Sequence, residues 1–235
     1  MKKIFLTAEW RKLAMANYAV DPSLLIRFLP SGTELDLWDS ICYVSLVGFM
    51  FIDTRLIGFR IPFHTNFEEV NLRFYVRFKS GEWKRGVVFI KEIVPKRAIT
   101  FFANHIYKER YETSRMGHRW EISADTLKVK YEWKQENWNT FGVTADNRFM
   151  EIPEASEEEF ILEHYWGYTK LDNKRTSEYR VEHPRWQVYP VKDYLIDVAF
   201  ASTYGPEFGF LTKDKPRSVF LAEGSKITVR QGSRI

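Results

Sequence analysis

The chain has 235 residues, of which 45% are hydrophobic and 17% aromatic, enough apolar area for a sizeable core with no disulfide or metal staple. The net charge of +4 comes from basic residues interleaved with 31 acids, not from a basic stripe, which excludes a nucleic-acid groove as the leading reading. Cys42 is the only cysteine, so an internal disulfide and thiolate zinc sites are excluded, and a reducing, cytoplasmic setting is expected.

The start, Met1-Lys2-Lys3 followed by Ile4-Phe5-Leu6, has too short an apolar run for a secretion signal, with Glu9 and Arg11 close behind. The longest apolar stretch, 41–52, falls short of the ~20 residues a spanning helix needs, so no membrane association is expected. All-β proteins of this length commonly remain undivided, and no linker or repeat interrupts the sequence, so one domain covering 1–235 is expected. A short helix is predicted over 21–28, with Asp21 as N-cap, Pro22 at the first helical position and Pro30 closing it. Strands follow at 35–38, 43–52, 68–78 and 86–94, with a hairpin turn at Ser80-Gly81.

Pro95 stops the last of these and opens a helix through Ala98, Phe101, Phe102 and Ile106, which places Lys96 and Arg97 in its first turn. Further strands are predicted at 119–122, 126–133 and 140–144. In the second of these, Leu127, Val129, Tyr131 and Trp133 alternate with Lys128, Lys130 and Glu132. Ser156 and Glu159 form a capping box for a short helix, and His164 to Tyr168 return to an extended pattern. The remainder is predicted as strands with a break at Gly205-Pro206 and a final hairpin at Glu223-Gly224. The class is α+β: a mainly antiparallel β-barrel or cone with a few short helices.

The strand at 67–78 carries the most information. Val70, Leu72, Phe74 and Val76 share one face, while Phe67, Glu69, Asn71, Arg73 and Tyr75 share the other. That second face either meets solvent, as in an ordinary amphipathic strand, or lines a lumen, where a carboxylate and a guanidinium side by side form a recognition set. Val94-Pro95-Lys96-Arg97 has two readings as well. A lysine at a helix start beside a permanent cation can keep a free amine for imine formation, or it can belong to a solvated pair beginning a surface helix. The five histidines show no metal-ligand spacing, so neither metal nor cofactor is expected. His164, Trp166 and Tyr168 share one face of an extended segment and are candidates to line the same lumen.

Several segments together resemble the YqjF-like family of proteins of unknown function: Thr33-Glu34-Leu35-Asp36-Leu37-Trp38, Tyr43-Val44-Ser45-Leu46-Val47, Phe67-Glu68-Glu69-Val70-Asn71-Leu72-Arg73, Glu163-His164-Tyr165-Trp166-Gly167-Tyr168 and Glu182-His183-Pro184-Arg185-Trp186. That family is in turn similar to the acetoacetate decarboxylase superfamily. The resemblance implies an acetoacetate decarboxylase-like fold and a polar-lined small-molecule cavity. It implies Lys96 as the imine-forming lysine after a proline, Arg97 as its neighbouring cation and Glu69 as the carboxylate that manages protons. Arg11 is implied as the arginine that orients a substrate carboxylate. Arg73, Asn71 and Tyr75 complete the expected set for a small carboxylate-bearing ligand. The superfamily's further glutamate has no counterpart in Tyr43-Val44-Ser45-Leu46-Val47. The functional expectation is a Schiff-base lyase acting on a small keto acid; the alternative is a non-catalytic small-molecule-binding or interaction protein with the same barrel. A homo-oligomer is also expected.

Overall fold

The computed structural model describes residues 2–235, apart from the side chains of Ile106 and Tyr107. Its first element, β1 (Ile4–Ala19), is a strand that period-two reading misses. Lys12 has φ 54°, and the register against the neighbouring strand shifts between Arg11 and Ala14, a bulge that breaks the alternation. Between Pro22 and Pro30 the chain closes i to i+3 bonds and forms two short 3-10 turns, Pro22–Leu24 and Ile26–Phe28, in place of the expected single helix. Asp21 caps the first turn by accepting from the Ser23 amide at 2.8 Å.

Next come β2 (Thr33–Leu35), β3 (Tyr43–Leu56), β4 (Phe67–Ser80) and β5 (Glu82–Val94). The turn between β4 and β5 is carried by Gly81 at φ 77°, as expected from Ser80-Gly81. Lys96 is the N-cap of α1 (Arg97–Phe102), which continues as a π-turn over Ala103–Tyr107. The chain then forms β6 (Tyr111–Thr113), β7 (Met116–Ile122), β8 (Thr126–Lys134), β9 (Trp138–Asp146) and β10 (Met150–Glu151). In α2 (Glu157–Leu162) Ser156 caps the Glu159 amide, while the Glu159 carboxylate reaches back to the Ala155 amide, one residue beyond the usual box. The C-terminal part comprises β11 (Trp166–Lys170), β12 (Thr176–Glu182), β13 (Gln187–Tyr189), β14 (Val191–Asp197), α3 (Phe200–Tyr204), β15 (Ser218–Arg230) and β16 (Ser233–Arg234).

The hairpin expected at Glu223-Gly224 does not form, because β15 runs straight through. Gly224 has φ 79°, and a Cβ there would stand 2.0 Å from the Trp10 carbonyl oxygen, so the glycine serves a close backbone approach and not a turn.

The large sheet runs β10-β13-β15-β1-β3-β4-β5-β11-β12-β16, with β2 added on β4 and β6 on β5. Its ladders are antiparallel except where β5 meets β6 and β11. β12 also pairs with β15 through Val181↔Val229 and Glu182↔Thr228, which brings the path of pairings from β15 back to β15. A second sheet, β14-β9-β8-β7, is wholly antiparallel. Leu127, Val129, Tyr131 and Trp133 of β8 are buried and share one apolar cluster with Val70, Leu72, Phe74 and Val76 of β4. At this seam Tyr131 lies over Gly48, where a Cβ would come within 2.7 Å of its ring. The opposite face of β4 belongs to a second cluster with Phe49, Phe51, Phe67 and the α2 residues Phe160, Ile161 and Leu162. The α+β class and the large, mainly antiparallel sheet match expectation. Among the described residues no helix is long and apolar enough to cross a membrane.

Candidate functional site

The polar face of β4 looks inward. Glu69, Asn71 and Arg73 are 2%, 1% and 8% exposed, and all three line a cavity of about 300 Å³. β5 adds Glu92, which is 3% exposed and paired in register with Asn71. Tyr111 at the start of β6, in register with Glu92, the preceding Glu109, and Tyr179 of β12 complete the polar end. Gly167 of β11 gives Tyr179 its place: the two are cross-strand partners, and a Cβ on Gly167 would lie 2.1 Å from the tyrosine ring.

Three carboxyl groups converge with few charges to oppose them. Burial raises the Glu69 carboxyl to about 7, against hydrogen bonds from Asn71 Nδ2 (3.0 Å) and Tyr111 Oη (3.3 Å) and the pull of Arg73. Burial also raises Glu109 to about 7, against a hydrogen bond donated by Thr169. Glu92 is driven well above the carboxylate range by burial and then by Glu109 and Glu69, and its Oε2 has no hydrogen-bond partner. Near neutral pH this end of the cavity therefore offers protonated carboxyls, which can donate hydrogen bonds to a ligand oxygen.

The arginine is the counterpart of that arrangement. Arg73 Nη2 lies 3.9 Å from Met15 Sδ, its guanidinium carbon is 5.7 Å from the centre of the Tyr75 ring, and its Nε has no hydrogen-bond partner among the described residues. A register shift in the β4–β5 ladder falls beside it, between Leu72 and Arg73. His164 lines the cavity too. Its Nε2 is 3.2 Å from Asp36 Oδ2, its Nδ1 is unpartnered, and burial holds its pKa down at about 4. Burial works against the charge on Asp36, yet the His164 and Arg85 hydrogen bonds keep its carboxyl below its usual value. The neutral imidazole thus donates from Nε2 to Asp36 and keeps the Nδ1 lone pair.

The remaining expected residues are distributed differently. Tyr75 is buried and is not among the lining residues; its hydroxyl meets Ser45 Oγ at 2.7 Å and its ring lies 4.7 Å from His164. Arg11 is not among the lining residues; its guanidinium is engaged by Glu9 at 2.7 Å and Glu223 at 3.3 Å, and the adjacent Trp10 faces the cavity instead. Lys96 does not line the cavity either. It is half-buried and acts electrostatically on Glu68, which alternates to the opposite face of β4 from Glu69 and whose carboxylate accepts a hydrogen bond from His118 Nδ1 at 2.7 Å. After the bend at Pro95 Lys96 stands at the N-cap position of α1 with no side-chain capping bond, and Arg97 beyond it is exposed. Of the aromatic stripe, His164 and Trp166 line the cavity, whereas Tyr168 packs in the inter-sheet cluster. Among the described residues no cluster of three His, Cys, Asp or Glu is arranged to hold a metal ion.

A large, mainly antiparallel sheet with this cavity defines the class: the acetoacetate decarboxylase-like fold. The chain is similar to the acetoacetate decarboxylase of Legionella pneumophila, with 14% identity, TM-score 0.65, and 98% of this chain and 87% of that one covered. It is similar to the enduracididine biosynthesis enzyme MppR, solved in complex with pyruvate, with 14% identity, TM-score 0.68, and coverage of 100% and 91%. Within that class, residues 7–226 match DUF2071, a family described as an uncharacterized conserved protein, and the chain belongs to this family. A relative is the uncharacterized protein YqjF of Bacillus subtilis (strain 168), 28% identical over 180 residues that span 74% of this chain and 72% of YqjF.

Proposed function

We propose that the cavity binds a small oxo acid, its carboxylate paired with Arg73 and its oxo oxygen accepting a hydrogen bond from a protonated carboxyl, Glu69 or Glu92. The observation that carries this reading is Arg73 itself: a guanidinium 8% exposed, facing a cavity, with Nε unpartnered. A buried cation whose Nε has no hydrogen-bond partner among the described residues, and whose neighbour Glu69 is itself pushed toward neutrality, is costly, and a ligand carboxylate would remove that cost through a two-pronged hydrogen bond. The returning ladder between β12 and β15 supports reading the large sheet as a cone around this lumen. MppR's complex with pyruvate, on a similar fold, makes pyruvate and acetoacetate reasonable first probes.

Imine chemistry at Lys96 is not part of this reading, since no lysine is among the described residues that line the cavity. The site is a binding site with acid–base groups in place, and Asp36-oriented His164 supplies a second proton acceptor. The test is calorimetric titration of the intact protein with pyruvate and acetoacetate, repeated with Arg73→Met. Loss of at least ~30-fold in affinity is expected, the equivalent of about 2 kcal/mol for a charged hydrogen-bonded pair. Equal binding by the variant, or no binding by the wild type, would overturn the proposal. Borohydride treatment with either acid is expected to leave the peptide containing Lys96 unmodified; an adduct there would restore the imine reading.

A further inference from the structure

Beyond the cluster of Arg73, Glu69, Glu92 and Glu109 the cavity lining is mainly apolar, although Thr54, His64, Ser177 and Arg230 also belong to it. From Arg73, Glu69 and Glu92 the walls turn apolar: Trp10 and Phe49 meet edge to face at 5.3 Å, and Phe51 and Phe67 stack at 4.7 Å. Further out, the lining includes Ile61, from the segment between β3 and β4, and Phe102, at the end of α1. These two are 43% and 55% exposed, so the apolar wall continues to the protein surface. Near them in sequence Phe59, Phe63 and Phe101 are also exposed, at 73%, 88% and 57%, though they do not line the cavity. A ligand as small as pyruvate would fill the polar end and leave this wall in contact with water.

We propose that the acid recognised here carries an apolar tail, aromatic or branched alkyl, which runs from its carboxylate at Arg73 along the Trp10–Phe67 wall to the rim at Ile61 and Phe102. This rests on the carboxylate reading above and adds the chemical class of the ligand to it. Arg73 fixes the head, the aromatic wall takes the tail, and the rim sets the outward direction. No covalent step is involved.

The experiment is calorimetric titration of the intact protein with pyruvate, 2-oxobutanoate, 2-oxohexanoate and phenylpyruvate, with 1-hexanol as a tail lacking a head. Affinity is expected to rise about four-fold per added methylene, the factor equivalent to ~0.8 kcal/mol of transfer free energy. It should be highest for the longer and aromatic acids, and 1-hexanol should bind at least ~30-fold more weakly than 2-oxohexanoate. Ile61→Ser and Phe102→Ser, both at exposed positions, should each weaken phenylpyruvate binding at least ~5-fold more than they weaken pyruvate binding. A flat series, with pyruvate binding as well as phenylpyruvate and still dependent on Arg73, would overturn the tail and leave the carboxylate reading standing. Acids and 1-hexanol binding alike, insensitive to Arg73→Met, would overturn the carboxylate reading and this inference with it. Failure of every acid to bind would overturn both.

Discussion

Arg11 and Arg73 stand on neighbouring parts of the same sheet and are both drawn away from bulk water, yet their surroundings differ in kind. Around Arg11 each charge meets a partner: Glu9 and Glu223 take the guanidinium, Lys12 meets Glu223, and the Tyr189 hydroxyl joins both. Around Arg73 the guanidinium has a thioether and an unpartnered Nε, and the nearby carboxyls are held protonated by burial and mutual repulsion. The first cluster is complete within the chain and serves to hold β1 against β15. The second leaves polar atoms without partners among the described residues, and the proposed ligand is what would complete it.

The comparison breaks most severely at the glycine that seats the paired cluster. Gly224→Ala must relieve both φ 79° and the 2.0 Å approach to the Trp10 carbonyl, and a loss of at least ~3 kcal/mol is expected in denaturant unfolding. Lys12→Met leaves Glu223 short of a cation and is expected to cost about 2 kcal/mol, less than for a fully buried pair because Glu223 is 23% exposed. Arg73→Met has the opposite expectation. With no ligand present it should be neutral or stabilising by ~1 kcal/mol, a rise of roughly 2–4 °C in melting temperature, while it abolishes carboxylate binding. A destabilisation as large as that of Lys12→Met would show that Arg73 is structurally satisfied.

The smallest effect concerns pH and sharpens the contrast. Glu69 has a folded-state pKa near 7, raised from 4.5, so the proton it holds favours the native state below about pH 4.5, and that contribution is lost as pH rises through 7. Glu69→Gln should therefore gain stability relative to wild type between pH 5 and pH 8, by at least ~2 °C in melting temperature. His164, held at about 4, works in the opposite direction between pH 4 and 6.5 and is common to both proteins, so it cancels in the difference. Affinity for a small carboxylate should also fall as pH rises through 7, since each ionising glutamate adds negative charge beside the bound anion. A pH-independent difference in both measurements would place the glutamates in water.

Period-two alternation was sufficient to bring Glu69, Asn71 and Arg73 to one face, because β4 runs through that stretch without interruption. It was insufficient for Glu92. The lining residues Val87 and Phe89 put odd-numbered positions inward, and the register shift opposite Leu72 and Arg73 reverses the phase, so Glu92 turns in where alternation selects Lys91. A lone acid among Phe89, Ile90, Ile93 and Val94 was the available signal. Glu109, Tyr111 and Tyr179 come from short or distant segments brought in by pairing, which local pattern does not encode. The bulge at Lys12 hid β1 in the same way, and past the bend at Pro95 Lys96 falls outside the cavity lining although Ala98 and Ile99 belong to it. Gly167 and Gly224 were visible as glycines, but their purpose depends on what lies across the ladder.

The central place of β1 has a consequence for how the protein is made. β1 lies between β3 and β15, paired with β15 from Ile4↔Arg230 to Asn17↔Ser218, so one flank of β1 stays open during synthesis until β15 has been made. The second sheet is built from successive hairpins β7, β8 and β9 and can assemble during elongation. The large sheet waits, with a long unpaired edge of β1 exposed to other nascent chains until β15 emerges. Slow or stalled synthesis before residue 218 should thus leave a species that aggregates through β1, and chaperone demand should fall sharply once β15 has emerged.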